Sequence, residues 1–488
     1  MARATSKTGR DLTTGPVFTT LMLFALPTLG SSVLQSLNGS INAIWIGRFL
    51  GEEAFAATSN ANLIMFLLLG SVFGFGMAAT ILIGQAIGDK NVDAARRVVG
   101  VCIFWFSIIS LIIAVLGWIF TPQLLSLLDT PVEATQLAVD YLRVIFISMP
   151  VMFFLNFLMM ALRGTGDSTT PLIFMAASVL VDIALAPIFI GGSGPIPAMG
   201  IEGAALAMFV AQTAALIGMI AYVYQQDLPI RLREKEWSYL LPTRVLSVSI
   251  IRKGAPMGLQ MFALSGSAVM MMGLVNSYGV ITTAAYGVTA QLWSYIQMPA
   301  MALGAAASAM AAQNIGAGKW DRVTSVTRAG IITNLVVTGL SLVVFQLFIR
   351  PLLALFLDAD SDAIPLAIGI NNIVSWSLLM VGVMTVIFGT VRSSGAVVVP
   401  LVIMIISLVG VRLGFALSLE PYLGEDALWW SYPVSSAVAM IMAILYYLKG
   451  NWRESTMVAK TATVSRHEAS AKCETAADAS KPTWINVE

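Results

Sequence analysis

Charge is scarce in this chain. Only 11% of its 488 residues are Asp, Glu, Lys or Arg, against 58% hydrophobic residues. Soluble globular chains carry roughly 25% charged residues. So few charges cannot solvate an ordinary globular surface, and the apolar side chains are expected to face lipid. Histidine is nearly missing as well. His467 is the one example and lies in the polar C-terminal stretch, which excludes a histidine proton relay or histidine-assisted nucleophile in the apolar segments. Cys102 sits in an apolar run and Cys473 in the polar tail, so no disulfide framework arises. No glycine-rich stretch ends in Gly-Lys-Ser/Thr, and no nucleotide site is implied. A net charge of +1 gives nucleic acid nothing to bind. The first apolar run is too long for a cleaved leader and reads as a retained signal anchor.

What the sequence has in abundance is apolar helix. A bilayer core of about 30 Å needs about 20 apolar residues per helical span. Twelve runs qualify, at 21–46, 54–84, 98–120, 136–161, 171–190, 203–224, 254–276, 284–312, 329–349, 366–391, 398–418 and 427–448. Basic residues occupy alternate loops: Lys90, Arg96 and Arg97; Arg163; Arg231 to Lys253; Lys319, Arg322 and Arg328; Arg392; Lys449 and Arg453. The other loops are acidic, with Glu52, Glu53, Asp358, Asp360, Asp362, Glu425 and Asp426. Because positive loops stay inside, both termini are expected in the cytoplasm.

The chain also repeats itself. GQAIGDKNVDAARRV from Gly84 parallels AQNIGAGKWDRVTSV from Ala312, and LRGTGDSTTPLIFM from Leu162 parallels VRSSGAVVVPLVIM from Val391. Pro27 and Pro256 open the two halves. A constant offset marks one duplicated unit. Six spans per unit is an even number, so the halves share one orientation, as parallel repeats do. The fold class expected is an all-α polytopic membrane protein of twelve transmembrane helices in two six-helix lobes. The domains expected are an N-terminal tail 1–18, a first lobe 19–225, a cytoplasmic linker 226–252, a second lobe 253–448 and a disordered tail 449–488.

These residues resemble the multidrug and toxic compound extrusion (MATE) family from about Pro16 to Lys449. The motifs are ALPTLGSSVLQSLNGSINAIWIGRFLG, GQAIGD, RGTGDSTTP, GIEGAALA, AAYGV, MPAMALGAAASAMAAQNIGAGKWDR and RSSG. The resemblance implies a drug/ion antiporter with a central cavity between lobes. The sequence departs from the family where ions bind. Asn42 stands where many members carry an acid, five residues before Gly47. In the fifth span Asp182 stands at an asparagine position, and Ala186 replaces the aspartate before Pro187. The acids that the sodium-coupled branch carries in the seventh and tenth spans are missing from 254–276 and 366–391.

Asp182 is the candidate for ion coupling, with Asn42 as its partner. A carboxylate deep in an apolar helix usually faces a cavity and marks an ion path; the alternative is a hydrogen bond that ties two helices. Asn42 either orients the carboxyl or bridges helices. Arg412 either balances a carboxylate or substrate group or snorkels outward. Asp140 and Arg143, three apart, can pair on one helix. Gln35, Asn38, Asn156, Gln260, Gln291 and Asn371 are candidates to line the space between lobes, or to join helices. Trp45, Phe66, Trp293, Tyr295, Met159–Met160 and Met270–Met272 offer an adaptable apolar wall or ordinary packing. Pro27 and Pro256 break the helical ladder as hinges or fixed kinks. Glu202 reads as solvated.

The expectation is therefore a secondary antiporter of the plasma membrane (a bacterial inner membrane) that exports amphipathic, often cationic, small molecules. It exchanges them for protons, with sodium second, and works as a monomer. No cofactor, metal or nucleotide is expected. A flippase for lipids or lipid-linked saccharides is the alternative, against which the shortage of intramembrane positive charge weighs. A membrane enzyme is excluded by the missing histidine and missing paired acids.

Overall fold

A computed structural model describes residues 9–126, 132–192, 197–357 and 361–458. Helices dominate. The first half holds α1 (Val17–Gly88), α2 (Val92–Ser126), α3 (Val132–Gly164), α4 (Thr169–Gly191) and α5 (Gly200–Gln225). The second holds α6 (Arg244–Asn276), α7 (Val280–Gly316), α8 (Trp320–Leu347), α9 (Ile349–Leu353), α10 (Ala363–Val374), α11 (Ser377–Ser393), α12 (Val398–Ile405), α13 (Arg412–Leu423) and α14 (Asp426–Lys449). α1 contains two of the expected spans. It breaks at Gly51, with φ +84°, a backbone region that glycine enters without the steric cost other residues meet.

Every run expected to cross the membrane falls on helix. Among the described residues nine helices are long and apolar enough to cross on their own, or ten with one bent pair. That pair corrects the single tenth span expected at 366–391. α10 and α11 meet at a 44° bend. The eleventh span is not a plain α-helix either, since a π turn at Ile406–Val411 joins α12 to α13. The expected Asp140–Arg143 pair is absent. Asp140 accepts a hydrogen bond from Gln136, 2.9 Å away, and the Arg143 guanidinium lies 4.9 Å from the Trp118 ring centre.

The lobes meet through a crossing used twice. The start of α1 packs Leu21, Phe24 and Ala25 against Leu303, Ala306 and Met310 of α7. Its repeat mate, the start of α6, meets the second part of α1, where a side chain on Gly74 would collide with the backbone of Gly254 and Gly258. Small residues let helix backbones approach this closely. At the ends of the two crossings the glutamines exchange places. Gln85 donates to the Ser393 carbonyl at 2.6 Å, and Gln313 donates to the Gly164 carbonyl at 3.1 Å. Gly88 lies against the Gln313 backbone and Gly316 against the Gln85 backbone, with no room for a Cβ at either.

Both chain ends strap this junction. Leu12 N–H donates to Gln313 Oε1 at 3.1 Å, Asn314 donates to the Leu12 carbonyl at 3.1 Å, and Arg322 reaches the Thr14 carbonyl at 2.7 Å. On the other lobe, Arg10 N–H donates to the Gly166 carbonyl at 3.4 Å. The stretch 450–458, expected in a disordered tail, is packed. Trp452 is buried, Ser394 donates to its carbonyl at 2.7 Å, and Met457 is buried among first-half side chains. The rest of that expected tail, with His467 and Cys473, lies outside the described residues, as do the first eight residues of the N-terminal tail. The expected linker is also packed. Arg96 pairs with Glu236 at 2.9 Å, and the Tyr239 hydroxyl donates to Asp93.

Gly316→Val is expected to destabilise the protein by about 1–3 kcal/mol, the usual cost of overpacking a close contact. Gln85→Ala should cost about 1 kcal/mol, one net hydrogen bond, and Gln313→Ala about 2 kcal/mol, since Gln313 also accepts from Leu12. Thermal midpoints in detergent check the order, and a Gly316→Val midpoint equal to wild type would refute the close crossing. The N-terminal strap should depend on pH. Burial opposes the charged form of Asp11, but hydrogen bonds from Thr13 and Thr14 and the charge of Lys319 hold its carboxyl below its ordinary value. A depressed carboxyl stabilises above that value and loses the contribution as pH falls through it. Hydrogen-exchange protection at residues 9–15, corrected for the intrinsic rate at each pH, should fall below about pH 4 and stay constant above it.

Candidate functional site

Asp182 is 1% exposed, near the middle of α4. The helix starts cleanly because Asp167 accepts the Thr169 and Thr170 N–H groups, each at 3.0 Å, as helix-capping carboxylates do. Residues one helical turn apart share a face, and Met175, Ser178, Val179 and Asp182 present one face to a cavity. On α1, Asn38 and Asn42 are also four residues apart and point the same way. Each amide donates to Asp182 Oδ2, both at 2.8 Å.

The cavity measures about 330 Å³. Its walls come from both parts of α1 and from α3, α4 and α5, all in the first half. Gln35, Asn38, Asn42, Asn156 and Asp182 line it, as does Met159; the sequence placed the amides in a space between the lobes, whereas this cavity lies within the first half. Tyr141, Asn62, Thr58, Ser178 and Gln212 line it too and were not singled out by the sequence. The signal was available, since each is a polar group within an apolar helix, and a lipid-facing position would leave it unsatisfied. The site has one acid and no lysine or arginine among its lining residues. Asp182 Oδ1, Asn38 Oδ1 and Asn42 Oδ1 are all buried, with no hydrogen-bond partner among the described residues.

The structure does not bring Trp45, Gln260, Gln291, Trp293 or Arg412 to this cavity, and the Phe66 side chain lies outside the described residues. Trp45 tilts against Phe49, with ring centres 5.7 Å apart, and its buried Nε1 has no partner among the described residues. Gln260 accepts from Arg392 at 3.1 Å and donates to the Val397 carbonyl at 3.4 Å, which ties α6 to the loop after α11. Gln291 is exposed and donates to the Tyr295 hydroxyl at 3.2 Å. Trp293 is buried and donates to Asn371 at 2.9 Å. Trp293 and Arg412 share a second cavity, inside the second half. Pro27 and Pro256 lie within α1 and α6, and the one residue of α1 with non-helical dihedrals is Gly51, not Pro27. Glu202 sits exposed in the first turn of α5.

Two repeated helical halves, each with a cavity among apolar helices long enough to cross a membrane, have the architecture of a multi-pass membrane protein, and comparison with known proteins places it among transporters. The MatE family model matches residues 27–188 and again 256–417, the same displacement that separates Pro27 from Pro256. The chain belongs to the MatE family of transporters. It is 36% identical over 433 residues to the probable multidrug resistance protein YoeA of Bacillus subtilis, covering 88% of this chain and 93% of that one. It is 31% identical over 445 residues to the probable multidrug resistance protein YpnP of the same organism, covering 91% and 97%. Among solved structures, a multidrug resistance MATE family transporter of the MOP superfamily in its outward-facing conformation superposes with a TM-score of 0.82 at 20% identity, covering 92% of this chain and 98% of that one.

If Asp182 carries a charge-dependent role rather than only a helix-joining one, two substitutions separate the roles. Asp182→Asn keeps an oxygen acceptor for Asn38 and Asn42, and the thermal midpoint should stay within a few degrees of wild type. Asp182→Leu leaves both amides buried without their acceptor and should cost about 1–3 kcal/mol. Equal midpoints for the two variants would mean that the amides do not depend on this carboxylate.

Proposed function

We propose that this transporter exports amphipathic, often cationic, small organic molecules across a bacterial plasma membrane in exchange for protons, with both termini in the cytoplasm. One observation carries the reading. The cavity holds a single buried carboxylate, Asp182, on whose Oδ2 two amides converge. Its charge is costly in an apolar surround and is offset by whatever cation it meets. A proton and a cationic substrate compete for it. The proton neutralises the carboxyl and removes the attraction for the substrate, so uptake of one favours release of the other. Export of drugs is supported by the likeness to two probable multidrug resistance proteins, YoeA and YpnP. The junction of the lobes at the face bearing the termini supports a state closed to the cytoplasm. A flippase for lipid-linked saccharides would want a basic cavity, and this one has no basic lining residue.

Sodium is the second reading, and a specific observation favours it. Three buried oxygens, on Asp182, Asn38 and Asn42, have no donor among the described residues. Clusters of carboxylate and carbonyl oxygen are what hard cations take, whereas a proton satisfies one.

Purified protein in liposomes, loaded to report efflux of a fluorescent cationic dye, decides between them. A pH gradient should drive dye transport in wild type, a sodium gradient should not, and Asp182→Asn should lower the rate at least ten-fold. Transport driven by sodium alone replaces the proton with sodium. Undiminished transport in Asp182→Asn removes the carboxylate from the mechanism.

A further inference from the structure

The second half contains the charge opposite of Asp182. Arg412 opens α13 directly after the π turn at Ile406–Val411 and is 8% exposed. Its Nε donates to Ser435 Oγ at 3.1 Å. Its guanidinium lies 4.2 Å from the centre of the Tyr432 ring, and the Tyr432 hydroxyl meets the Tyr286 hydroxyl at 2.6 Å. No ion pair among the described residues involves Arg412. A guanidinium has five N–H donors, and the hydrogen bond to Ser435 uses one.

A buried cation without an anion is expensive. Stacking on an aromatic ring offsets only part of its desolvation. The imbalance sits beside a cavity of about 120 Å³ that Arg412 lines with Ser407, Ser436 and Trp293. Ser407, 1% exposed, is a second buried polar group there, and its hydroxyl has no partner among the described residues. The rest of the wall is apolar, with Leu264, Val381, Met384 and Met404 among its side chains.

We propose that this second-half cavity binds an organic carboxylate, with the Arg412 fork facing the carboxylate oxygens and the apolar wall covering the hydrocarbon part. The planar fork of arginine matches a carboxylate with two parallel hydrogen bonds. The apolar wall selects against inorganic anions, which would lose hydration without replacement. The transporter then carries two cavities of opposite preference, one per lobe. The proposal rests on the transporter reading only in treating the carboxylate as cargo, since binding itself requires no gradient.

Benzoate is the probe, because its ring fits an apolar wall that includes Trp293 and Tyr432. Full-length protein in detergent should bind benzoate by calorimetry, with benzamide, its neutral counterpart, at least ten-fold weaker. Arg412→Gln should weaken benzoate at least ten-fold and leave benzamide unchanged, with Arg412→Lys between. Asp182→Asn should bind benzoate as wild type does, so that a failed dye-transport assay and a failed carboxylate site are told apart. Equal binding of benzoate and benzamide overturns the proposal. So does full displacement of benzoate by equimolar chloride or phosphate, which would mark an inorganic anion site. If Arg412→Gln does not fold, the benzoate-to-benzamide ratio in wild type still decides the matter.

Discussion

A polar group inside lipid must find its partner within the protein, because no water is there to supply one. Asp182 is the most demanding such group in the first half. Its helix is otherwise apolar, so the partners have to come from another element. They come from α1, whose Asn38 and Asn42 are spaced to reach the same oxygen. That contact is compatible with one rotation of α1, the one in which Gln35 also looks into the first-half cavity. The apolar packing of α1 against its neighbours and the two amide–carboxylate bonds agree on that rotation.

Movement between the lobes is constrained differently. One crossing packs large side chains, Leu21 and Phe24 against Leu303 and Met310, and the other brings backbones together at Gly74, Gly254 and Gly258. Each cross-lobe hydrogen bond, such as those from Gln85 and Gln313, is worth on the order of 1 kcal/mol net. Bonds of that size hold a state without trapping it. The two bonds are repeat mates, because both halves present the same turn to each other. The segments 9–14 and 450–458 add contacts to the same place: Leu12 bonds to Gln313, while Trp452 packs in the second half and Met457 in the first.

The helical plan was legible because it depends on quantities that a sequence carries in bulk: apolar length, the alternation of basic loops, and the constant offset between Pro27 and Pro256. The Asp182–Asn42 contact was legible for a related reason, since two polar residues in apolar helices have few other partners. What the sequence did not reveal depends on direction rather than composition. Gln260 and Asn156 look alike as amides in apolar runs. Gln260 ties two segments of the second half, while Asn156 lines the first-half cavity. Only helix rotation and the path of neighbouring backbones separate them. The bend between α10 and α11 and the packing of Trp452 were hidden similarly. The bend has no proline or glycine at residues 375–376, and the packing around Trp452 uses Gly395 and Gly450, at which a Cβ would collide with neighbours, a role no local pattern marks.

The position of Arg412 connects these two kinds of information. In the repeat it is the mate of Ile183, one residue past the mate of Asp182. One residue along an α-helix turns a side chain by about 100°, which would point Arg412 away from the face that Asp182 occupies in its own lobe. The helix before it is not regular, however. The π turn at Ile406–Val411 winds more loosely than an α turn, and such bulges recur at functional sites. The extra winding offsets the one-residue shift, and Arg412 faces a cavity in its lobe as Asp182 faces one in the other. The two halves have kept one scaffold and one facing for the charged position, and have diverged in the sign of the charge placed there.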